Sequence, residues 1–190
     1  MSKIEEKYWY LISHTVYAAM FGYLGKKSIV YKPIEIVGHR SIYIENDVYI
    51  AQYAWLMGSG NKERNLYIKA GTTIGHYAHI VARRSIVIEE NVLIADHVFI
   101  SDCTHRYEDI ERPIKKQKVR IIKDVCVGEG SWIGENVCIC GASIGRHSVI
   151  GANSVVTRDI PDYCVAVGSP ANVVRRYDFG NNEWVSVKKH

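Results

Sequence analysis

Aliphatic residues recur every sixth position over most of the chain. Stepping by six from Ile44 reaches Ile50, Leu56, Lys62, Ile68, Ile74, Ile80 and Ile86. After a two-residue shift the series runs Ile88, Ile94, Ile100. After a gap it runs Ile121, Val127, Ile133, Ile139 and then, one residue short, Ile144, Ile150 and Val156. Seventeen of these eighteen positions are Ile, Leu or Val. The residue four places further on is restricted as well: Ala54, Thr72, Ala78, Val92, Val98, Thr104, Ser131, Val137, Ser143, Ser148 and Ser154. A helix requires apolar residues at a spacing of about 3.6 and an ordinary strand requires short alternation, so neither explains this order. A triangular coil does: each hexad makes a short strand and a turn, and three hexads close one coil. The aliphatic residue then points inward and the small residue sits by the corner. Glu45-Asn46, Asn91, Glu135-Asn136 and Ala152-Asn153 fall at the expected corners, where Asn tolerates left-handed backbone.

Two segments escape the period. Ser2 to Leu24 reads as a helix stopped by Gly25, with Tyr8, Trp9 and Tyr17 available to pack on the coil stack. Arg106 to Arg120 is a polar excursion between the coil at Ile100 and the one at Ile121, and a connection of that length calls for a functional explanation. The reading divides the chain into a helical segment (1–30), an all-β parallel coil domain (31–177, with loop 106–120) and a tail (178–190). The stretch after Pro170 is expected to form a short helix or strand.

Composition adds limits. Hydrophobic residues at 47% and charged residues at 23% suit a packed globular core. A formal charge of +4 with scattered Lys and Arg argues against nucleic-acid binding and permits an anionic small ligand. The five cysteines, Cys103, Cys126, Cys138, Cys140 and Cys164, are odd in number and form no CxxC pair, and no cleavable leader pattern opens the sequence. Reduced thiols and a cytoplasmic location are expected. The run from Leu11 to Leu24 is broken by Ser13, His14, Thr15 and Gly22 and is too short to span a bilayer, so membrane association is not expected.

Reactive groups belong where the repeat breaks, and His105 stands there, in ISDCTHRYEDIERPI. This string, with SWIGENVCI, SVIGANSVVTRDIP and VGSPANVVRR, resembles the hexapeptide-repeat acyltransferases, in particular the galactoside, maltose and polysaccharide O-acetyltransferases, over about Ile36 to Tyr177. The resemblance implies a left-handed β-helix, a homotrimer with sites between subunits, acetyl-CoA as co-substrate and a sugar or saccharide acceptor. His105 would be the general base: a sugar hydroxyl is a poor nucleophile, and imidazole can take its proton as the oxygen attacks the thioester. A backbone N–H would stabilise the oxyanion. The carry-over also gives Trp132 beside the acceptor and pantetheine, Ala152, Thr157, Arg158 and Arg175 along coenzyme A, and Gly168 to Ala171 near the adenine. Asp102 either orients the imidazole, binds a substrate hydroxyl or is a solvated corner carboxylate.

The sequence also departs from the galactoside enzymes. An Asn and an Asp that they use one coil earlier correspond to Gly75 and Arg83 here, with His76 or His79 as replacements, and Glu135 stands in place of a Ser. O-acetylation of a sugar is the leading expectation, with N-acetylation of an amino-sugar beside it. Two other classes compete: a γ-class carbonic anhydrase-like metalloenzyme and a non-catalytic scaffold. No two of the eight histidines have the five-residue spacing expected of a zinc pair, and Cys138 and Cys140 straddle an inward Ile139, so no metal is expected. A scaffold gives no reason for the break at His105.

Overall fold

The structure is a computed structural model, and it describes residues 3–61 and 63–187. Ser2, Lys62 and His190 lie outside the described residues. The all-β left-handed parallel β-helix expected from the sequence is the fold observed, with about seven turns. Three parallel sheets form the faces of a triangular prism. The first contains Ile42–Ile44, Leu66–Ile68, Ile86–Ile88 and Val125–Val127; the second Tyr49–Ile50, Thr73–Ile74, Leu93–Ile94, Trp132–Ile133 and Val149–Ile150; the third Trp55–Met57, His79–Val81, Phe99–Ser101, Cys138–Cys140 and Val155–Val156. Register is strict: Ile68 pairs with Ile88, Ile74 with Ile94 and Ile80 with Ile100. The inward residues of all three faces are fully buried and form one continuous aliphatic column.

First-face strands turn two residues inward, as with Ile86 and Ile88, which explains the two-residue shift in the period. Two members of the pattern are corrected. Ile121 is only half-buried and belongs to an antiparallel strand outside the prism, so the coil resumes at Val125. Thr104 likewise leaves the coil rather than filling a corner.

The small corner residues do more than fit. Thr72 Oγ1 donates to the Glu89 carbonyl (2.9 Å) and accepts the Val92 N–H (3.3 Å). Ser131 Oγ donates to Gly145 O (2.8 Å) and accepts from Ser148 N (3.1 Å), and Ser148 Oγ donates to Pro161 O (2.8 Å) and accepts from Cys164 N (3.1 Å). Each buried hydroxyl ties its corner to the next coil and satisfies backbone groups that strand pairing leaves over. Gly134 is required by closeness, since a Cβ there would stand 2.7 Å from Ala152 N. Asn91, Asn136 and Asn153 take left-handed backbone as expected (φ 56°, 57° and 59°), whereas at the corner predicted for Asn46 it is Asp47 that does so (φ 56°). One corner is filled instead by Tyr53, Tyr77 and His97, also at positive φ, whose rings stack at 5.0 and 4.8 Å.

The N-terminal helix is shorter than expected. Lys3–Ile12 continues through a π turn, Ser13–Tyr17, to Ala18–Met20. Tyr23–Leu24 is already a coil strand, paired with Tyr43–Ile44, so the stop comes before Gly25: extended pairing with the next coil overrides local helical preference. Ser13 Oγ accepts the Val30 N–H (3.0 Å) and buried Phe21 closes the base of the aliphatic column. At the other end Asn172–Asp178 and Glu183–Ser186 form an antiparallel hairpin on the second sheet, settling the tail as strand. No helix of the described residues is long and apolar enough to cross a membrane.

Ser148→Ala is expected to lower stability by about 1–3 kcal/mol, because it strands the buried Cys164 N–H and Pro161 carbonyl. Urea unfolding checks this: the midpoint falls while the slope stays unchanged.

Candidate active site

The chain leaves the prism after Ser101. Asp102 is fully buried, and its carboxylate accepts the backbone N–H groups of Arg83 (3.0 Å), Arg84 (2.6 Å) and Ser85 (2.8 Å) from the coil below. Its carbonyl accepts the Ile122 N–H (2.8 Å) where the chain returns. Asp102 therefore pins both the corner beneath and the exit and re-entry of the excursion. The reading of Asp102 as a solvated corner carboxylate is corrected: the side chain is fully buried and both oxygens accept backbone amides.

The excursion itself is an ordered ribbon. Cys103–His105 pairs antiparallel with Val119–Ile121, and His105 lies opposite Val119. Gln117 Nε2 donates to the carbonyls of Asp109 (2.8 Å) and Arg112 (2.9 Å), and Arg120 pairs with Glu108 (2.9 Å). This ribbon holds exposed His105 at the rim of a cavity of about 300 Å³ against the third face. Its floor is an outward column in strict register, Trp55 beneath His79 beneath Phe99. The Trp55 and His79 rings stack at 4.2 Å with 6° between planes, and Phe99 tilts onto His79 at 5.2 Å. Trp55 Nε1 and His79 Nε2 are buried without a hydrogen-bond partner, an arrangement that costs stability unless a ligand or water supplies one. Burial holds the His79 imidazole below its ordinary pKa, so it is neutral and able to exchange a hydrogen bond with a hydroxyl.

Of the predicted site residues, the structure brings His79 and His105 together. Between the two replacements considered, His79 lines the cavity, while His76 is at an exposed corner against Asp96 (3.1 Å). Thr157 and Arg158 follow Val156 on the same third face, two rungs beyond Ile100, or roughly 10 Å. Ala152 lies in the corner between the second and third faces, in a groove with His97, Glu135, Asn136 and Asn153. Trp132 is half-exposed on the second face, between Leu93 and Val149, and Arg175 is on the antiparallel strand closing that face. Within one chain Trp132 and Arg175 therefore point away from the His105 cavity. Sequence reasoning missed Trp55 and Phe99 as cavity walls and set Arg83, which also lines it, aside. Their signal was the coil repeat itself, which stacks them on His79. Among the described residues no group of three or more His, Cys, Asp or Glu is placed to hold a metal ion.

No family model matches the chain. It is 32% identical over 152 residues to the galactoside O-acetyltransferase of Escherichia coli, an alignment covering 75% of this chain and 70% of that enzyme. It is also 32% identical over 126 residues to the putative lipopolysaccharide biosynthesis O-acetyl transferase WbbJ of Escherichia coli, covering 63% and 64%. The chain spans 30%, 64% and 56% of the length of three curated relatives that it matches. Among solved structures it superposes on AntD, an N-acyltransferase from Bacillus cereus in complex with dTDP-4-amino-4,6-dideoxyglucose and coenzyme A, with a TM-score of 0.73 at 18% identity, over 89% of this chain and 91% of that one. The coil repeat, the ribbon carrying His105 and these likenesses place the chain in the hexapeptide-repeat acyltransferase family, to which the galactoside enzyme belongs.

The low His79 pKa makes a prediction. The folded state takes up this proton less readily than the unfolded chain, whose histidine titrates near 6.5. The contribution is complete above that value and is lost as pH falls toward the depressed folded value. His79→Leu is expected to remove this loss, so its stability relative to the parent should rise between about pH 7 and 5 in urea melts.

Proposed function

We propose that the protein transfers an acetyl group from acetyl-CoA to a hydroxyl of a sugar or saccharide, with His105 as general base. The observation that carries the reading is the placement of His105 and neutral His79 in one cavity, where the coil opens and the third face begins its run toward Thr157 and Arg158. Coenzyme A lies along that run: its pantetheine arm passes Ala152 and its phosphates meet Arg158 and Arg175, whose guanidinium groups suit anionic oxygens. The hydroxyl oxygen attacks the thioester carbon, a C–O bond forms, and the C–S bond breaks. His105 takes the hydroxyl proton and returns it to the departing thiolate. The thioester is already activated, so no covalent enzyme intermediate is needed. An amine acceptor is the second reading: the same base and donor path serve a neutral amine, and AntD, which shares the fold, is an N-acyltransferase.

Assembly follows from the faces. Trp132 and Arg175 are on the second face, and the His105 cavity is on the third, so a second copy is what brings a second face against a cavity. A homotrimer with three sites between neighbours meets this need and covers the flat apolar faces, where Leu93 and Trp132 are half-exposed. The named relatives support an acceptor in saccharide metabolism, polysaccharide assembly included, and the five free cysteines support a reducing, cytoplasmic setting.

His105→Ala is expected to lower kcat/KM by about 10²- to 10⁴-fold while coenzyme A still binds. Thiol release from acetyl-CoA with hexosides and amino-hexosides as acceptors, beside calorimetry with coenzyme A, tests this. Turnover by the variant within a factor of about two of the parent contradicts the assigned role.

A further inference from the structure

Among the described residues the His105 cavity is lined by one arginine, which the reaction itself does not use. Arg83 lines it, is exposed, and takes part in no ion pair among the described residues. Its neighbours differ: Arg84 Nε is held by Asp124 (2.5 Å) and Arg120 by Glu108 (2.9 Å). Among the described residues no carboxylate lines the cavity. The nearest, Asp102, is buried behind the wall with its oxygens on three backbone amides, one of them that of Arg83 itself. That amide tie fixes the Arg83 backbone at the corner and leaves the guanidinium free. The remaining wall is aromatic and aliphatic with the uncharged polar side chains of Ser101, Cys103 and Thr104, and Trp55 Nε1 is a donor lacking an acceptor. A cavity of about 300 Å³ is at the small end of ligand sites and holds about one sugar ring.

We propose that the acceptor carries an anionic group, a carboxylate or a phosphate on the sugar, and that Arg83 receives it while His105 faces the reacting hydroxyl. The inference rests on the acyltransferase reading and names the substrate class of that same site. The phosphates of coenzyme A are not the anion in question. Arg158 follows Val156, three rungs from Ile80 through Ile100 and Ile139, about 14 Å along the face from the strand that leads to Arg83. Arg83 is thus on the far side of the thioester from the donor's own charge. A guanidinium offers paired donors to either anion, and in a partly desolvated cavity such a contact is worth far more than on an open surface.

The test uses three acceptors built on one hexose: the neutral methyl glycoside, its uronate and its phosphate monoester. Thiol release from acetyl-CoA is followed for the parent, Arg83→Gln and Arg83→Lys, and binding of the same compounds to the protein without coenzyme A is measured by calorimetry. The parent is expected to favour at least one anionic acceptor over the neutral one by about 10- to 100-fold in kcat/KM, mainly through KM. In Arg83→Gln the ratio is expected to fall below about threefold, and Arg83→Lys to retain part of it, with unchanged melting temperatures showing that charge and not folding was lost. The comparison of uronate with phosphate identifies the anion. A ratio that Arg83→Gln leaves unmoved, or a parent that favours the neutral glycoside, overturns the proposal while leaving acetyl transfer standing. If no acceptor releases thiol, yet an anionic sugar binds the parent about tenfold more tightly than Arg83→Gln, the anion site stands and acetyl transfer falls. If neither transfer nor that difference in binding is seen, both fall.

Discussion

Parallel pairing between successive coils constrains everything else in this molecule. Each residue sits above one residue of the previous turn and below one of the next, so side chains are arranged as columns rather than as isolated choices. Inside, the columns are Ile, Leu and Val, and their contact removes apolar area from water along the whole axis. At the corners the hydroxyls of Thr72, Ser131 and Ser148 bridge one coil to the next. On the third face the outward column is Trp55, His79, Phe99, and that column is the floor of the site. The same rule that builds the core therefore builds the binding wall.

The inner column was legible because it uses few residue types at a fixed spacing, and the string around His105 was legible because it interrupts that spacing. What escaped depended on contacts between coils. The hydroxyls of Thr72, Ser131 and Ser148 read as merely small, since their partners belong to a neighbouring turn. Asp102 stayed open between a site role and a solvated corner because nothing in its own string announces the three amides of Arg83, Arg84 and Ser85. Ile121 matched the period by residue type while lying in the ribbon, and Leu24 continued a helical pattern that strand pairing overrode. Tyr53, Tyr77 and His97 adopt a backbone conformation that bulky residues seldom take, and ring stacking along the corner compensates for that cost.

The site exists because the coil is broken without being loosened. Asp102 clamps the corner below and the returning strand together, so the prism is intact on both sides of the excursion. The ribbon projects His105 from this fixed base, opposite a face whose polar atoms at Trp55 and His79 lack partners. An imidazole kept neutral by burial, an exposed imidazole at the rim and a free guanidinium give the cavity donors and proton acceptors but no negative charge. The cavity is thus assembled by residues from three successive coils and one ribbon.

The C-terminal hairpin has a further consequence. A stack of parallel strands ends in a row of unpaired amides and carbonyls, which could template another copy laid end to end. Here Cys164–Val167 is followed on the second sheet by the reversed strand Asn172–Asp178 and then by the exposed strand Glu183–Ser186, and Phe21 plugs the opposite end. A further molecule arriving at the hairpin end finds an exposed ribbon and no aliphatic column on which to continue the coil. The architecture resembles a fibre in its repeat, yet the buried column a fibre would propagate stops inside the molecule at both ends.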